Sequence, residues 1–301
     1  MVAGSAHAIT VSGLNPNSPS YLGVSGSFGD TYSGVAELLI MRSDLGYGVV
    51  EECSGALLAD GFSILTSAHC IADSKGVERA GAAYVLFTTP SGGYTSRVAS
   101  FKVDPSYDGS ATSPHDVAVL TLASPAPDTV DRYGLYTGDT TDEIITLAGY
   151  GFGGTGATGY DPIEYPFGTL RVGENQYDPF AGTDDLMFDF DDGTGAGSSE
   201  YPQYSGADES FIAPGDTGGP SFIDGEIAGV HSYVAFQDGR TPDAGNVLDS
   251  SFGEVAADSS VSYNFGFIQS AMLLGPEPGL MILVGLALVA IALAGDKRRH
   301  Q

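Results

Sequence analysis

The sequence predicts an all-β body of short antiparallel strands, followed by a single apolar helix at the C-terminus. Three observations carry that expectation. The 301 residues include 43 Gly, 16 Tyr and 15 Phe while only 16% are charged, a balance suited to strands joined by turns. Apolar stretches in the body are short, rich in β-formers and separated by Gly, Pro, Asp and Ser clusters. Residues 280–294, LMILVGLALVAIALA, form one uncharged apolar run near the end of the chain.

At the front, Ala6-His7-Ala8 fits the small-x-small pattern of a signal-peptidase site, but no charged or apolar region precedes it. Either residues 1–8 are the remnant of a truncated signal peptide, with Met1 an internal methionine, or the match is accidental. Strands then read at Glu37–Met41, Tyr84–Thr88, Val117–Leu122, Ile144–Gly149 and Glu226–Val230, with no helical period between the two ends. That pattern fits an antiparallel barrel or sandwich. No composition shift interrupts it before about residue 275, so residues 9–275 form one unit, with room for two barrels that share a core.

Two segments invite other chemistry. Gly149-Tyr150-Gly151-Phe152-Gly153-Gly154 satisfies G-x-G-x-x-G, but the following TGATGYDPIEYPFG cannot open the helix a dinucleotide site needs. Residues 183–194 gather Asp184, Asp185, Asp189, Asp191 and Asp192, yet their spacing does not follow the calcium-loop pattern and a solvated acidic loop explains them. No metal and no cofactor are expected. The net charge of −27 repels nucleic acid and anionic lipid, so neither is a partner of the body. It forms a solvated coat able to attract cations or basic polypeptides.

After the body stands Pro276-Glu277-Pro278, then the apolar run, then Asp296-Lys297-Arg298-Arg299-His300, whose three basic residues hold that end on the cytoplasmic side. These 26 residues resemble the PEP-CTERM sorting signal of exopolysaccharide-producing Gram-negative bacteria. The resemblance implies export, contact with the inner membrane at least in transit, and processing of residues 276–301 by a dedicated sorting machinery. The two cysteines, Cys53 and Cys70, can by spacing alone be free thiols or one disulfide. An oxidising compartment makes them a disulfide candidate.

Three segments bear on function: Cys53-SGALLADGFSILTSAH-Cys70 with His69 before the second cysteine, His115-Asp116-Val117-Ala118-Val119-Leu120, and Gly215-Asp216-Thr217-Gly218-Gly219-Pro220. Acyl transfer needs a hydroxyl nucleophile, an imidazole to carry its proton, a carboxylate to orient the imidazole and two N–H donors for the oxyanion. Together these segments resemble the trypsin-like, chymotrypsin-fold serine peptidases. TSAHC resembles the family's histidine motif, HDVAVL its aspartate strand and GDTGGP its nucleophile loop. Gly149-Tyr150-Gly151, Ala228-Gly229-Val230-His231-Ser232-Tyr233 and the segment Val261-Ser262 to Phe267-Ile268 resemble further family landmarks, so the likeness spans roughly residues 30–270.

The resemblance implies two packed six-stranded antiparallel β-barrels, with His69 as general base, Asp116 orienting it and Thr217 at the nucleophile position. It also implies an oxyanion hole at Gly215 and Thr217, a Cys53–Cys70 bridge beside the histidine, and polypeptide substrates. Phe211 aligns with the floor of the primary pocket, and Ser232, Tyr233 and Val234 with its substrate-binding strand. An apolar floor and narrowed entrance then favour a small or medium apolar residue before the scissile bond.

Two departures qualify the likeness. Threonine replaces serine, and its extra methyl restricts χ1 at the reacting hydroxyl. The activation sequence that frees an N-terminus to pair with the aspartate at Asp216 is missing, and Ile9 lies some 44 residues before Cys53, too far upstream to serve. An exported endopeptidase competes with a pseudopeptidase kept as an extracellular binding or matrix module, and with an esterase-like hydrolase on the same site.

Overall fold

The structure, a computed structural model, describes residues 9–13, 15–18, 21, 32–46, 49–89, 92–179, 184–192, 209–236 and 247–272. After a short β1 (Ile9–Val11), six strands form a closed antiparallel barrel: β2 (Val35–Arg42), β3 (Val50–Leu57), β4 (Ser63–Thr66), β5 (Ala80–Thr89), β6 (Gly92–Val103) and β7 (Ala118–Leu122). Alternation along these strands sorts their side chains between two layers. On β7, Ala118, Leu120 and Leu122 fill the barrel, whereas Val119, with Val117 just before it, faces outward.

The outward face packs on a second unit. It contains β8 (Ile144–Gly149), β9 (Gly153–Thr155), β10 (Gly159–Tyr160), β11 (Arg171–Gln176), β12 (Leu186–Asp189), β13 (Ser210–Phe211), β14 (Pro220–Ile223), β15 (Glu226–Phe236) and β16 (Glu254–Ser260), and ends in helix α1 (Val261–Met272). Six of these strands make a sheet ordered β11-β8-β14-β15-β16-β12. Among the described residues no ladder joins its two outer strands; a bridge between Asp178 and Met187 and a hydrogen bond from Asn175 Nδ2 to the Asp189 carbonyl cross between them, so this sheet is barrel-like where the first is a closed barrel. A four-stranded sheet, β10-β9-β1-β13, stands beside it.

Val35, Ala56, Leu58, Leu65 and Val119 of the first barrel interleave with Tyr150, Val172, Phe222, Ile227 and Val230 of the second, and Val261 and Ile268 of α1 join that layer. The expected pair of six-stranded units is therefore present. Helix α1 corrects the expectation of no helix in the body. Its buried positions Val261, Asn264, Ile268 and Ala271 have helical spacing, but a polar Asn in the buried row hides the period.

Candidate active site

Strands β4 and β7 run antiparallel with Thr66 opposite Ala118. The chain leaving β4 and the chain entering β7 therefore share one end of the barrel. His69 sits there in a single 3₁₀ turn, Ala68–Cys70. Asp116, fully buried, accepts the His69 backbone N–H on Oδ1 at 2.8 Å and meets His69 Nδ1 through Oδ2 at 2.6 Å. A third donor, Ser232 Oγ, points at Oδ2, and the same hydroxyl lies 2.6 Å from the Ala111 carbonyl oxygen. Three donors fix the position of this carboxylate. The imidazole is thus held with its Nδ1 proton inward and its other nitrogen free to face a substrate.

Arg42 braces the turn from outside. Its Nη1 donates to the His69 carbonyl at 2.6 Å, while Nε and Nη2 donate to the two carboxylate oxygens of Asp44. Cys53 and Cys70 form a disulfide across the same loop.

The third segment is the turn before β14. Gly215 has φ +95°, and a Cβ there would stand 2.7 Å from Phe167 Cδ2 and 2.8 Å from Gly151 Cα. Gly218 has φ +83°, and its missing Cβ would run into Thr66 Oγ1 and the Ser54 carbonyl of the first barrel. Only glycine tolerates both the backbone and the crowding at these two positions. Ser54 ties the turn down: its Oγ donates to the Gly215 carbonyl at 2.9 Å and accepts the Tyr150 N–H at 2.9 Å, and its own N–H reaches the Thr217 carbonyl at 2.8 Å. The N–H groups of Asp216, Gly218 and Gly219 are occupied by Ala213, His231 and Asp216 carbonyls. Among the described residues, neither the Gly215 nor the Thr217 N–H is so occupied, and this pair is the one expected to cradle an oxyanion. The Thr217 carbonyl oxygen lies 3.9 Å from Cys70 Sγ, which brings the threonine beside the His69 turn. The hydrogen bonds of His69 among the described residues go to Asp116 and Arg42, and none reaches Thr217.

Asp216 is fully buried, with Oδ1 accepting Gly151 N–H and Oδ2 accepting Ala213 N–H, both at 2.9 Å. Burial pushes its pKa up to about 6, opposed by those two N–H groups and by the charges of His231 and Arg171. Arg171, also buried, is pushed down to about 8 by desolvation and donates to Pro16 O and Asn17 Oδ1. The separation of Ile9 from Cys53 in sequence does not carry over to the fold. Strand β1 pairs parallel with β9, Ile9 opposite Gly153, and antiparallel with β13, Thr10 opposite Phe211. Followed towards Ile9, the two neighbouring strands lead to Gly151 and Ala213, the residues that hold Asp216. Sequence distance misled because β1 pairs with β9 and β13, strands supplied by distant parts of the chain.

A cavity of about 260 Å³ opens beside Thr217, lined by Tyr160, Ile212, Ala213, Pro214, Ser232, Tyr233, Val234, Leu248 and Ser250. Phe211 is not part of it. Its ring is fully buried against Phe188 and Phe190, with centroids 5.8 and 5.2 Å away, and the neighbouring Ile212 lines the cavity instead. Alternate residues of an extended segment face opposite sides, so a one-residue difference in alignment exchanges core for cavity. The apolar character survives. Burial beside Asp185 pushes Tyr233 up to about 12, so its hydroxyl remains protonated. Tyr160, on the β9–β10 hairpin, had no signal in the sequence beyond the Gly-rich turn that delivers it.

The glycine-rich decoy leads from β8 into β9, a strand and not a helix. The acidic stretch 183–194 is described only at residues 184–192, and among the described residues no group of His, Cys, Asp and Glu is arranged to hold a metal ion. The apolar run 280–294 and the Ala6-His7-Ala8 site lie outside the described residues, within which no helix is long and apolar enough to cross a membrane.

The family pattern described as Trypsin matches residues 41–247. Among solved structures, the chain is similar to neuropsin, a serine protease expressed in the limbic system of mouse brain, with a TM-score of 0.55 and 17% identity, covering 80% of this chain and 95% of that one. At that identity the likeness speaks for the fold. No curated protein matches the sequence. With the histidine, aspartate and glycine-rich turn gathered at the junction of two barrel-like units, the pattern match across most of its length shows that the chain belongs to the trypsin family.

Proposed function

We propose that this protein is an exported endopeptidase that cleaves polypeptides by acyl transfer, with Thr217 in place of the usual serine. His69 takes the Thr217 proton and later gives it to the leaving amine. Asp116 holds the ring and balances the imidazolium charge, and the N–H groups of Gly215 and Thr217 receive the oxyanion. The observation that carries this reading is the pairing of His69 Nδ1 with a buried, triply hydrogen-bonded Asp116. Ile212 and Val234 favour an apolar residue of modest size before the scissile bond. Cleavage after Ala8 supplies an Ile9 ammonium, which the direction of β1 aims towards Asp216. Export, a transient inner-membrane stage and removal of residues 276–301 by sorting machinery follow from the Pro-Glu-Pro, apolar and basic elements; the Cys53–Cys70 bridge is consistent with that compartment.

A second reading, a pseudopeptidase serving as a binding module, is favoured by the absence among the described residues of a hydrogen bond from His69 to Thr217. The full chain is to be assayed on a mixed peptide library beside His69→Ala and Thr217→Ser. Turnover that disappears in His69→Ala supports the peptidase. A silent wild type that gains turnover in Thr217→Ser sinks it in favour of the binding module.

A further inference from the structure

One fully buried polar cluster remains unused by this chemistry. His231 on β15 stands opposite Asp258 on β16, and neither side chain reaches solvent. His231 Nδ1 lies 2.9 Å from Asp258 Oδ1, while Oδ2 accepts the Ser221 hydroxyl at 2.5 Å and the Tyr177 hydroxyl at 2.7 Å. Burial next to Asp258 pushes Tyr177 well above its ordinary value, which keeps it a donor. These three donors satisfy the buried Asp258 carboxyl group, with the imidazole offering an N–H from Nδ1.

What the cluster holds in place is the His231 peptide unit. The carbonyl oxygen accepts Gly218 N–H at 2.8 Å from the nucleophile turn and Ser67 Oγ–H at 2.7 Å from the segment just before His69. The N–H donates to the Gly219 carbonyl at 2.9 Å, and the next residue, Ser232, donates to Asp116. His231 Cδ2 stands 3.0 Å from the place a Cβ on Gly219 would take. His231 thus touches the segments that bear positions 69 and 217, and its neighbour Ser232 touches Asp116. It does so where β15 bulges between His231 and Tyr233 and the ladder to β16 slips register.

We infer that His231 is a positioning residue for the acyl-transfer reaction: its imidazole, clamped to Asp258, fixes its own carbonyl and thereby sets the Thr217 turn against the His69 turn. The catalytic consequence rests on the function proposed above. Substitutions separate the hydrogen bond from the packing. His231→Asn keeps an N–H near the place of Nδ1, whereas His231→Leu fills the space with no donor.

The full chain and both variants are to be treated with a diphenyl phosphonate bearing a small apolar side chain, with Thr217 labelling resolved into KI and a maximal rate. His231→Leu is expected to lower the maximal rate about tenfold or more with KI little changed, and His231→Asn to recover most of it. Equal losses in Asn and Leu, a change confined to KI, or a Leu variant labelled like wild type would overturn the inference. A second readout does not need a reactive threonine: the downfield ring proton that His69 shares with Asp116, assigned by its loss in His69→Ala. It should broaden or shift in His231→Leu and return in His231→Asn. If wild type takes no label, the proposed function fails and this proton alone decides, an unchanged signal in His231→Leu overturning the positioning role. Should His231→Leu not fold, Ser67→Ala, which removes one bond to the same carbonyl, replaces it, with a roughly threefold loss of rate expected and no loss overturning.

Discussion

Ser54 and Ser210 are both fully buried serines, and replacing each with alanine should give opposite results. Ser54 Oγ donates to the Gly215 carbonyl and accepts the Tyr150 N–H, each at 2.9 Å. Ser54→Ala breaks both bonds and strands a buried donor and a partly buried acceptor, each costing about 1–3 kcal/mol. A loss of about 2–6 kcal/mol follows, which for a domain of this size lowers Tm by about 4–24 °C. Ser210 Oγ is buried with no hydrogen-bond partner among the described residues. Ser210→Ala therefore removes a desolvated hydroxyl that gains nothing from folding, and should stay within about 0.5 kcal/mol of wild type or exceed it. Both proteins lose one oxygen from the interior, so cavity terms largely cancel in the comparison. Calorimetry or denaturant unfolding with the disulfide intact measures the difference. Equal losses in the two variants would refute the hydrogen-bond reasoning and leave the missing volume as the common cause.

Other consequences are equally direct. Burial pushes Asp178 up, Glu209 up to about 9 and Glu254 up to about 7. The folded chain then holds protons that the unfolded chain releases near pH 4, so stability is full below that pH and falls as pH rises through 7 to 9. Tm should drop between pH 5 and pH 9, and Glu209→Gln should flatten the upper part of that slope. Gly218→Ala places a Cβ against Thr66 Oγ1 at a left-handed backbone and should cost more than about 2 kcal/mol, with phosphonate labelling of Thr217 lost as well. Reducing Cys53–Cys70, which closes 17 residues of sequence separation, should cost about 3 kcal/mol, read as a lower denaturant midpoint. A chain beginning at Ile9 should label faster than one extended at its front; equal rates would exclude a role for the Ile9 ammonium.

The sequence announced those strands in which apolar residues cluster. Glu37–Met41, Tyr84–Thr88, Ile144–Gly149 and Glu226–Val230 all fall within β2, β5, β8 and β15, because apolar and β-branched residues run unbroken there. It missed β1, three residues long, whose identity as a strand comes from two neighbours supplied by distant parts of the chain. It missed α1 because Asn264 occupies a buried place, satisfied by the Pro114 and Ser260 carbonyls. The chemistry-bearing residues were legible because three short motifs each combine an unusual side chain with a constrained backbone. Their supports were not. Ser54, Arg42 and His231 are ordinary residues in sequence and matter only through partners such as Gly215, His69 and Asp258, which no local pattern reveals. The exchange of Phe211 for Ile212 shows how an alternating segment turns a small counting error into a change of face.

Among the described residues, six ladders close the first ring, while the second has five, with an isolated bridge from Asp178 to Met187 and an Asn175 side-chain bond across the gap. Breathing motions start where the fewest hydrogen bonds must part together. The molecule therefore carries a built-in fault line, with base and carboxylate on the rigid bank and the threonine on the bank that yields. Anything that grips Asp178 or strand β12 would be felt first by the hydroxyl and only later by the imidazole.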